Sequence, residues 1–431
     1  MTKRNIRRLV PEDMPAYMEI YLNAYPAGKD LSDECYDKYY ARNLQSMTEF
    51  DHVNFYGLFE DGKLIATMKL IDFDMNLFGE MRKATGLMAL GVHPLHKRKG
   101  AARDMVKFFE DYTVESGAAV SMLLPFRMDF YKKLGYGCGT KLEEYHIRTE
   151  YLPDVKNRQE LEGLRLLGRA ETDLALDCYA EFVEQNHGAV CKFEEEVRDF
   201  RDDDEVRRLG WLEDGKLRGY VAFTFENTSD CNYTLNRMNV KELVYHDAAV
   251  LRKLLAGLRM QADLAQSVVI RTGEPDFYHL LESCQDMSGG YIDFGFLQTN
   301  VSAVGTMYKI CDFGKFFEAS SHRAFPAMEL TAGFEVTDDV TGEAERFAVK
   351  FAAAEDGCTG RWSYLDGGAA YDAAEVHVTC RRSDLSSLLM GSGEFGGMVR
   401  LGVMTADKPE YVPALDLLLH AQQKPFTNTD Y

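Results

Sequence analysis

The sequence has no run of apolar residues approaching the ~20 that a membrane-spanning helix needs. The opening segment, MTKRNIRRLVPEDMP, also lacks an apolar core of signal-peptide length. The nine cysteines are scattered, odd in number and never spaced CxxC, which is typical of reduced thiols rather than of a disulfide framework. We therefore expect a cytoplasmic protein that has no membrane partner.

Basic residues are scarce as well, with 49 Lys plus Arg against 69 Asp plus Glu and a formal charge of −20. An acidic surface repels nucleic acid, so we expect no nucleic-acid partner, and it attracts cations such as amine-bearing small molecules. The ten histidines form no HExxH motif and no cluster with ligand spacing, so no metal site is expected.

What the sequence does contain begins with an internal similarity. GLFEDGKLIATMKL starts at Gly57, and GWLEDGKLRGYVAF starts at Gly210. Each stretch alternates apolar and polar residues on both sides of an Asp-Gly pair, which predicts a β-hairpin. In both copies, helical patterns precede the hairpin, and a strand, a helix and an apolar strand follow it.

This order predicts two α/β domains, at residues 1–150 and 151–298, within a chain of 431 residues. From about residue 300 several strand-like segments predict an antiparallel sheet, and helical segments follow them. We expect residues 299–431 to form a third, α+β domain that ends in the extended tail QQKPFTNTDY.

The stretch VHPLHKRKGAARDM, residues 92–105, joins a predicted strand to a predicted helix that begins near Gly100. The first turn of a helix presents free backbone N–H groups and a partial positive charge. The small residues Gly100, Ala101 and Ala102 would let a diphosphate approach those N–H groups. The preceding cations Lys97, Arg98 and Lys99 would add positive charge. The second copy has neither glycine nor basic run at its junction, so we expect it to lack this site.

The junction resembles the R/Q-x-x-G-x-G/A loop of the GCN5-related N-acetyltransferases (GNATs). The resemblance implies that the loop amides hold the pyrophosphate of acetyl-CoA and that the preceding strand pairs with the pantetheine arm. The residues that it implies in coenzyme binding are Leu90, Gly91, Val92, Lys97, Arg98, Lys99, Gly100, Ala101, Ala102, Arg103, Phe126 and Arg127.

A second motif, PFRMDFYKKLGYG, spans residues 125–137 and contains the GNAT pattern F-Y-x-x-x-G-[YF]. The resemblance implies that Tyr131 faces the coenzyme sulfur and acts as the general acid. A phenol with a pKa of ~10 can protonate a departing thiolate with a pKa of ~8.5 when it is held within reach.

Over nearly its whole length the chain resembles the enhanced intracellular survival (Eis) acetyltransferases. The resemblance is carried by TGLMALGVHPLHKRKG, FYKKLGYG, MYKICDFGKFFEA and the terminal TDY. It implies tandem GNAT-like domains with mixed central sheets and a sterol-carrier-protein-like third domain. It further implies that the α-carboxylate of Tyr431 is the catalytic base, that Asp430 binds the acceptor, and that the protein is a homo-oligomer.

The function expected is an acetyl-CoA-dependent N-acetyltransferase that uses no metal. Its acceptor would be the primary amine of a small molecule (aminoglycoside-like or polyamine-like) or of a lysine side chain. The Arg127 position departs from the small and acidic residues of known relatives, which argues against aminoglycosides. Two alternatives stay open: an acyltransferase that uses a longer acyl-CoA, and a non-catalytic ligand-binding protein.

Overall fold

The computed structural model describes residues 3–27, 29–292, 294–355 and 357–429. Two seven-stranded sheets and one six-stranded sheet follow one another along the described chain, with a short two-stranded hairpin before the third. Helices cover the sheets, and apolar clusters fill the space between them. This arrangement confirms the predicted α/β and α+β fold class.

Six of the seven strands of the first sheet, with the helices that cover it, come from the first 140 residues. These elements are β1 (Arg4–Arg8), α1 (Met14–Ala24), α2 (Asp33–Glu49), β2 (Val53–Glu60), β3 (Lys63–Leu77), β4 (Glu80–Val92), α3 (Ala101–Glu115), β5 (Val120–Leu123), α4 (Met128–Lys132) and β6 (Gly137–Cys138). The sheet is mixed, because β1 to β4 pair antiparallel whereas β4 and β5 run parallel. Helix α3 is amphipathic and buries Met105, Val106 and Phe109 on one face of the sheet, and α1 packs on the other.

The second sheet repeats this layout. Its elements are β7 (Lys141–Arg148), β8 (Leu164–Leu167), α5 (Thr172–Gln185), α6 (Glu194–Asp202), β9 (Arg207–Glu213), β10 (Lys216–Asn227), β11 (Asn236–Tyr245), α7 (Ala248–Arg259) and β12 (Ser267–Thr272). Strands β11 and β12 run parallel, as β4 and β5 do. The two units therefore share an order of elements as well as a sheet type.

Both predicted hairpin turns are confirmed. Asp61 and Gly62 join β2 to β3 with φ angles of 49° and 83°, and Asp214 and Gly215 join β9 to β10 with 51° and 80°. Two successive positive φ angles are typical of the type I′ turn, whose twist matches that of the flanking strands.

Strand pairing joins segments that lie on different sides of the predicted domain boundary at residue 298. The boundaries themselves stay predictions. Strands β13 (Tyr291–Ile292) and β14 (Phe296–Leu297) form the small hairpin, and β15 (Val301–Val304) then joins the edge of the second sheet beside β7. The next strand, β16 (Met307–Lys309), returns to the first sheet and lies between β5 and β6. The first sheet is therefore completed by a segment that follows the second sheet in sequence.

The third sheet lies among the remaining elements, and one sequence expectation about it is wrong. These elements are α8 (Phe313–Ala319), β17 (Phe325–Pro326), β18 (Leu330–Thr337), β19 (Ala344–Ala353), β20 (Thr359–Asp366), α9 (Gly368–Asp372), β21 (Val376–Arg381), α10 (Arg382–Leu389), α11 (Phe395–Arg400), β22 (Thr405–Ala406) and α12 (Val412–Leu419). The sheet is mixed rather than antiparallel, because β21 pairs parallel with β18. The chain reaches β21 through the crossover helix α9, so β21 runs in the same direction as β20.

Candidate active site

The junction between β4 and α3 presents free backbone amides. Gly100 precedes α3 with a φ of 86° and provides no side-chain cap. The N–H groups of the first helical turn, beginning at Ala101, therefore have no capping side chain and carry the positive end of the helix dipole. Only glycine adopts this left-handed φ without strain, so the sequence Lys-Gly-Ala-Ala folds locally into an anion-binding turn.

Arg4 on β1 holds this turn in place. Its guanidinium donates to the carbonyl oxygen of Lys99 at 3.0 Å and forms ion pairs with Asp104 at 2.6 Å and Glu60 at 3.0 Å. Pairing with Arg4 offsets the negative charge of Asp104, which lies in the first turn of α3 where an anion would bind. The sequence contains no local pattern that marks Arg4, because its partners lie far along the chain.

A gap opens between β4 and β5 next to the turn. The parallel pairing of these strands ends at Leu87 and Leu123. Beyond it β4 carries a bulge at Ala89, whose φ of 53° is left-handed. The carbonyl oxygen of Leu90 accepts a hydrogen bond from the Tyr25 hydroxyl at 3.0 Å. The last residues of β4 thus separate from β5 while they stay paired with β3, and the edge that faced β5 borders the gap.

The gap and the turn form one cavity of about 630 Å³. Most of the predicted coenzyme residues line it together, and Tyr131 lines it with them. Those residues are Leu90, Val92, Lys97, Arg98, Gly100, Ala101, Ala102, Arg103, Phe126 and Arg127. Sequence reasoning missed other lining residues that carry no motif, among them Tyr25 and Met88.

Two of the predicted coenzyme residues lie beside the cavity and do not line it. Gly91 faces α1, where a Cβ atom would lie 3.1 Å from side-chain atoms of Ile20 and Ala24. Lys99 is exposed, and its carbonyl oxygen is bonded to Arg4. A strand alternates its two faces, so Gly91 points away from the face that Leu90 and Val92 present.

Tyr131 lies on the short helix α4 and is 7% exposed. Phe130 and Tyr136 contact its ring edge to face, with centroids at 5.0 Å and 5.9 Å. Gly135 closes the turn after α4 with a φ of 89°. Burial raises the pKa of Tyr131 to about 12, so the hydroxyl stays protonated at neutral pH.

At the rim of the cavity, Phe126 is exposed and Arg127 pairs with Asp129 at 2.5 Å. The ion pair holds the pKa of Asp129 below its usual range. The guanidinium therefore has a carboxylate partner from its own turn.

Three tyrosines, Tyr21, Tyr25 and Tyr39, form an aromatic cage around the ammonium of Lys29. The ammonium of Lys29 lies 5.1 Å from the ring centroid of Tyr21, 5.7 Å from that of Tyr25 and 5.2 Å from that of Tyr39. Such distances are typical of cation–π contacts. Tyr25 lines the 630 Å³ cavity together with Tyr131, so the cage adjoins the predicted acid.

The predicted base and acceptor residue, Tyr431 and Asp430, lie outside the described residues. The preceding residue, Thr429, is 2% exposed and packs against the second domain. Its hydroxyl oxygen lies 3.2 Å from that of Tyr179. The described part of the tail, residues 420–429, does not line the 630 Å³ cavity.

The matching junction of the second unit is capped by its own side chain. Asp247 precedes α7 and accepts a hydrogen bond from the backbone N–H of Val250 at 2.8 Å. A carboxylate at this position occupies one of the amides that the first unit leaves free, and its charge repels an anion. The structure thus gives a physical reason why this junction is unsuited to a diphosphate.

Family models match three parts of the chain. Residues 5–139 match an acetyltransferase (GNAT) domain, residues 189–290 match a second acetyltransferase (GNAT) domain, and residues 315–428 match a sterol carrier protein domain. The chain is therefore a GNAT-class N-acetyltransferase. No curated protein sequence matches it.

Solved structures with the same three-domain fold cover 100% of this chain. They include a GCN5-related N-acetyltransferase from Anabaena variabilis (TM-score 0.77, 15% identity, 100% of that chain) and one from Kribbella flavida (0.72, 16%, 99%). Eis1 from Mycobacterium abscessus is similar as well, with a TM-score of 0.74 and 18% identity over 100% of its chain. The chain therefore shares the fold of these structures, that of Eis1 included.

As a class, GNAT domains use acetyl-CoA as the acetyl donor and an amine as the acceptor. Within the described residues, no helix is long and apolar enough to cross a membrane. In the same part of the chain, no three His, Cys, Asp or Glu side chains are grouped so that they could hold a metal ion.

Proposed function

We propose that the protein transfers the acetyl group of acetyl-CoA to the primary amine of a cationic acceptor, a small molecule or a lysine side chain. The observation that carries this proposal is the shared cavity, which brings the free amides of α3 and the Tyr131 hydroxyl to one space. The amides and the cations Lys97 and Arg98 suit a diphosphate. Beyond Leu87, the edge of β4 that no longer pairs with β5 suits an extended arm that forms backbone hydrogen bonds.

Tyr131 supplies the proton in this proposal. Acetyl-CoA contributes an activated thioester, whose carbonyl carbon the amine attacks. As the C–S bond breaks and the thiolate of CoA departs, Tyr131 gives its phenolic proton to the sulfur; burial raises the pKa of Tyr131 to about 12, so the proton is present at neutral pH. Holding both reactants in one cavity supplies much of the acceleration, since attack no longer requires a chance encounter.

The base is the α-carboxylate of Tyr431. An alkylammonium has no lone pair, so a proton must leave it before attack. A terminal carboxylate has a reference pKa of ~3.3–3.7 and is ionised at neutral pH. Asp430 beside it would attract the cationic acceptor.

The aromatic cage supports a cationic acceptor. The cage already holds one alkylammonium, that of Lys29, against the rings of Tyr21, Tyr25 and Tyr39. Tyr25 also lines the main cavity. Ring faces that accept Lys29 would accept a substrate ammonium by the same attraction. The chain's charge of −20 also favours the approach of cations.

The experiment follows thiol release from acetyl-CoA with a panel of amines, using the full-length protein and a variant that lacks residues 430–431. We expect turnover with at least one cationic amine, and a loss of about 100-fold or more in the shortened variant, because its terminal carboxylate then belongs to Thr429 and stands two residues before the proposed base. The affinity for coenzyme should be unchanged. Tyr431→Phe, which keeps a terminal carboxylate, is the matched control and should retain turnover. Normal turnover by the shortened variant would remove the carboxylate from the mechanism.

A further inference from the structure

The second domain contains a cleft built from the same elements as the coenzyme cavity of the first. Strands β11 and β12 pair only from Arg237 to Asn239 with Ser267 to Val269, and then separate as β4 and β5 do. A cavity of about 310 Å³ lies where they part, lined by the end of β11, the turn after β12 and the end of α5. In the first domain the corresponding elements are the end of β4, the turn after β5 and the end of α1.

The C-terminal segment of the same chain packs along this cleft. Residues 420–424, Phe426 and Asn428 form the remaining wall of the cavity. The ring of Phe426 packs directly on Gly273, where a Cβ atom would lie 2.2 Å from Cδ2 of the ring. A Cβ atom at Gly188 would lie 2.6 Å from the Cα atom of Pro425. Because Gly273 and Gly188 have no side chains, the segment can pack directly against their backbone.

Hydrogen bonds fix the segment to the end of α5 and to the residues that follow it. The Phe426 amide donates to the His187 carbonyl oxygen at 3.1 Å, and the His187 amide donates to Gln423 Oε1 at 2.8 Å. Gln423 Nε2 donates to Asn186 Oδ1 at 2.7 Å. Three bonds to two consecutive residues define one register for the segment.

Beyond Phe426 the segment leads to a buried polar cluster at the boundary with the first domain. Thr429 contacts Tyr179 there, and Tyr179 also donates to the Val190 carbonyl oxygen at 3.2 Å. Val190 pairs with Met75 of the first sheet, and Lys192 lies 2.8 Å from Glu196. The segment thus crosses from the second domain to a point in contact with the first.

We propose that the second domain has become a clamp for the C-terminal segment, in which Gly273, Gly188 and Tyr179 are positioning residues. Two residues extend at most ~7 Å, so the place of Thr429 limits how far the terminal carboxylate can reach. The clamp stands on the contacts above, and its catalytic consequence rests on the proposed function. This gives the second domain a role in the reaction although it lacks the basic loop.

The test is Gly273→Ala in the full-length protein. Gly273 has no positive φ, so alanine changes only the space available to Phe426. The matched control is Gly368→Ala, where a Cβ atom meets nothing within 4 Å. Two readouts are measured: the rate at which a carboxypeptidase releases Tyr431, and the steady-state kcat with the KM for acetyl-CoA.

We expect Gly273→Ala to speed release of Tyr431 by about tenfold or more and to lower kcat by about tenfold at an unchanged KM for acetyl-CoA, because the carboxylate samples other positions. The control should match the parent protein. Release of Tyr431 at the parent rate would overturn the clamp whatever the activity. Faster release with an unchanged kcat would keep the clamp and overturn the catalytic role of the carboxylate.

Thr429→Val offers a second variant that keeps the shape of the side chain and removes its hydrogen bond to Tyr179. We expect the same two effects at smaller size, since Phe426 stays in the cleft. If Gly273→Ala fails to fold, this variant decides the matter, and an unchanged release rate would again overturn the clamp.

Discussion

Tyr131 is held by its neighbours more than by its own helix, because α4 has only five residues. Phe130 and Tyr136 fix the ring, and Gly135 turns the chain so that Tyr136 can pack against it. The position of the hydroxyl therefore depends on ring contacts that a phenylalanine at position 131 would also make.

Tyr131→Phe keeps that packing and removes the proton donor. We expect kcat to fall by about 10²-fold, the lower end for loss of a general acid, with the affinity for acetyl-CoA nearly unchanged. Thiol release at saturating acetyl-CoA measures kcat, isothermal titration measures the affinity for acetyl-CoA, and thermal unfolding followed by circular dichroism checks that the packing is kept. Turnover equal to that of the parent protein would remove Tyr131 from the acid role.

Some residues of the site were visible in the sequence and others were not. Tyr131 and Gly100 belong to short motifs whose chemistry depends on local spacing. Arg4 contacts Glu60, Lys99 and Asp104, which lie 56 to 100 positions away. Tyr25 reaches Leu90 over 65 positions. Contacts over such separations depend on which strands pair, and a single sequence has no pattern that reports them.

At the scale of elements, the β4–α3 junction depends on the left-handed backbone of Gly100. The space beside Gly100 is open, since the nearest atoms to a Cβ would be side-chain nitrogens of Arg103 and Arg4 at 3.7 Å and 3.9 Å. Alanine is therefore disfavoured there by its backbone angle, at about 1–2 kcal/mol, rather than by a clash.

We expect Gly100→Ala to weaken coenzyme binding by about tenfold, because the strained turn shifts the first amides of α3. Gly100→Asp should weaken it further through repulsion of the diphosphate. Isothermal titration with acetyl-CoA measures both affinities. Gly402→Ala has a comparable φ of 69° in open space in the third domain, and should lose stability without losing affinity. Retained affinity in Gly100→Asp would contradict the assignment of the turn.

At the scale of the whole molecule, β16 ties the third domain to the first. Lys309 on this strand is buried, lies 2.8 Å from the carboxylate of Glu110 and donates to the Leu134 carbonyl oxygen at 2.7 Å. Tyr308 is also buried, and Ser121 donates to the Lys309 carbonyl oxygen at 3.1 Å. The two strands beside the active site, β5 and β6, thus depend on a segment that follows the second domain.

We expect a fragment of residues 1–298 to be less stable than one of residues 1–312, which differs by retaining β15 and β16. Without β16, the facing edges of β5 and β6 lose their hydrogen-bond partners, and Glu110 is left partly buried without Lys309. Urea unfolding followed by circular dichroism compares the two fragments, both of which lack the third domain. Equal midpoints would show that β16 contributes little to the first sheet.

The sequence by itself determined the features that depend on near neighbours. The Asp-Gly turns, the glycine before α3 and the motif around Tyr131 follow from backbone angles and spacings that a few adjacent residues impose. Only the tertiary structure decided that β21 runs parallel to β18, that β16 enters the first sheet, and that Phe426 fills the cleft of the second. Each of these depends on the pairing or packing of segments far apart in the chain, which hydrophobic patterning constrains without choosing the partner.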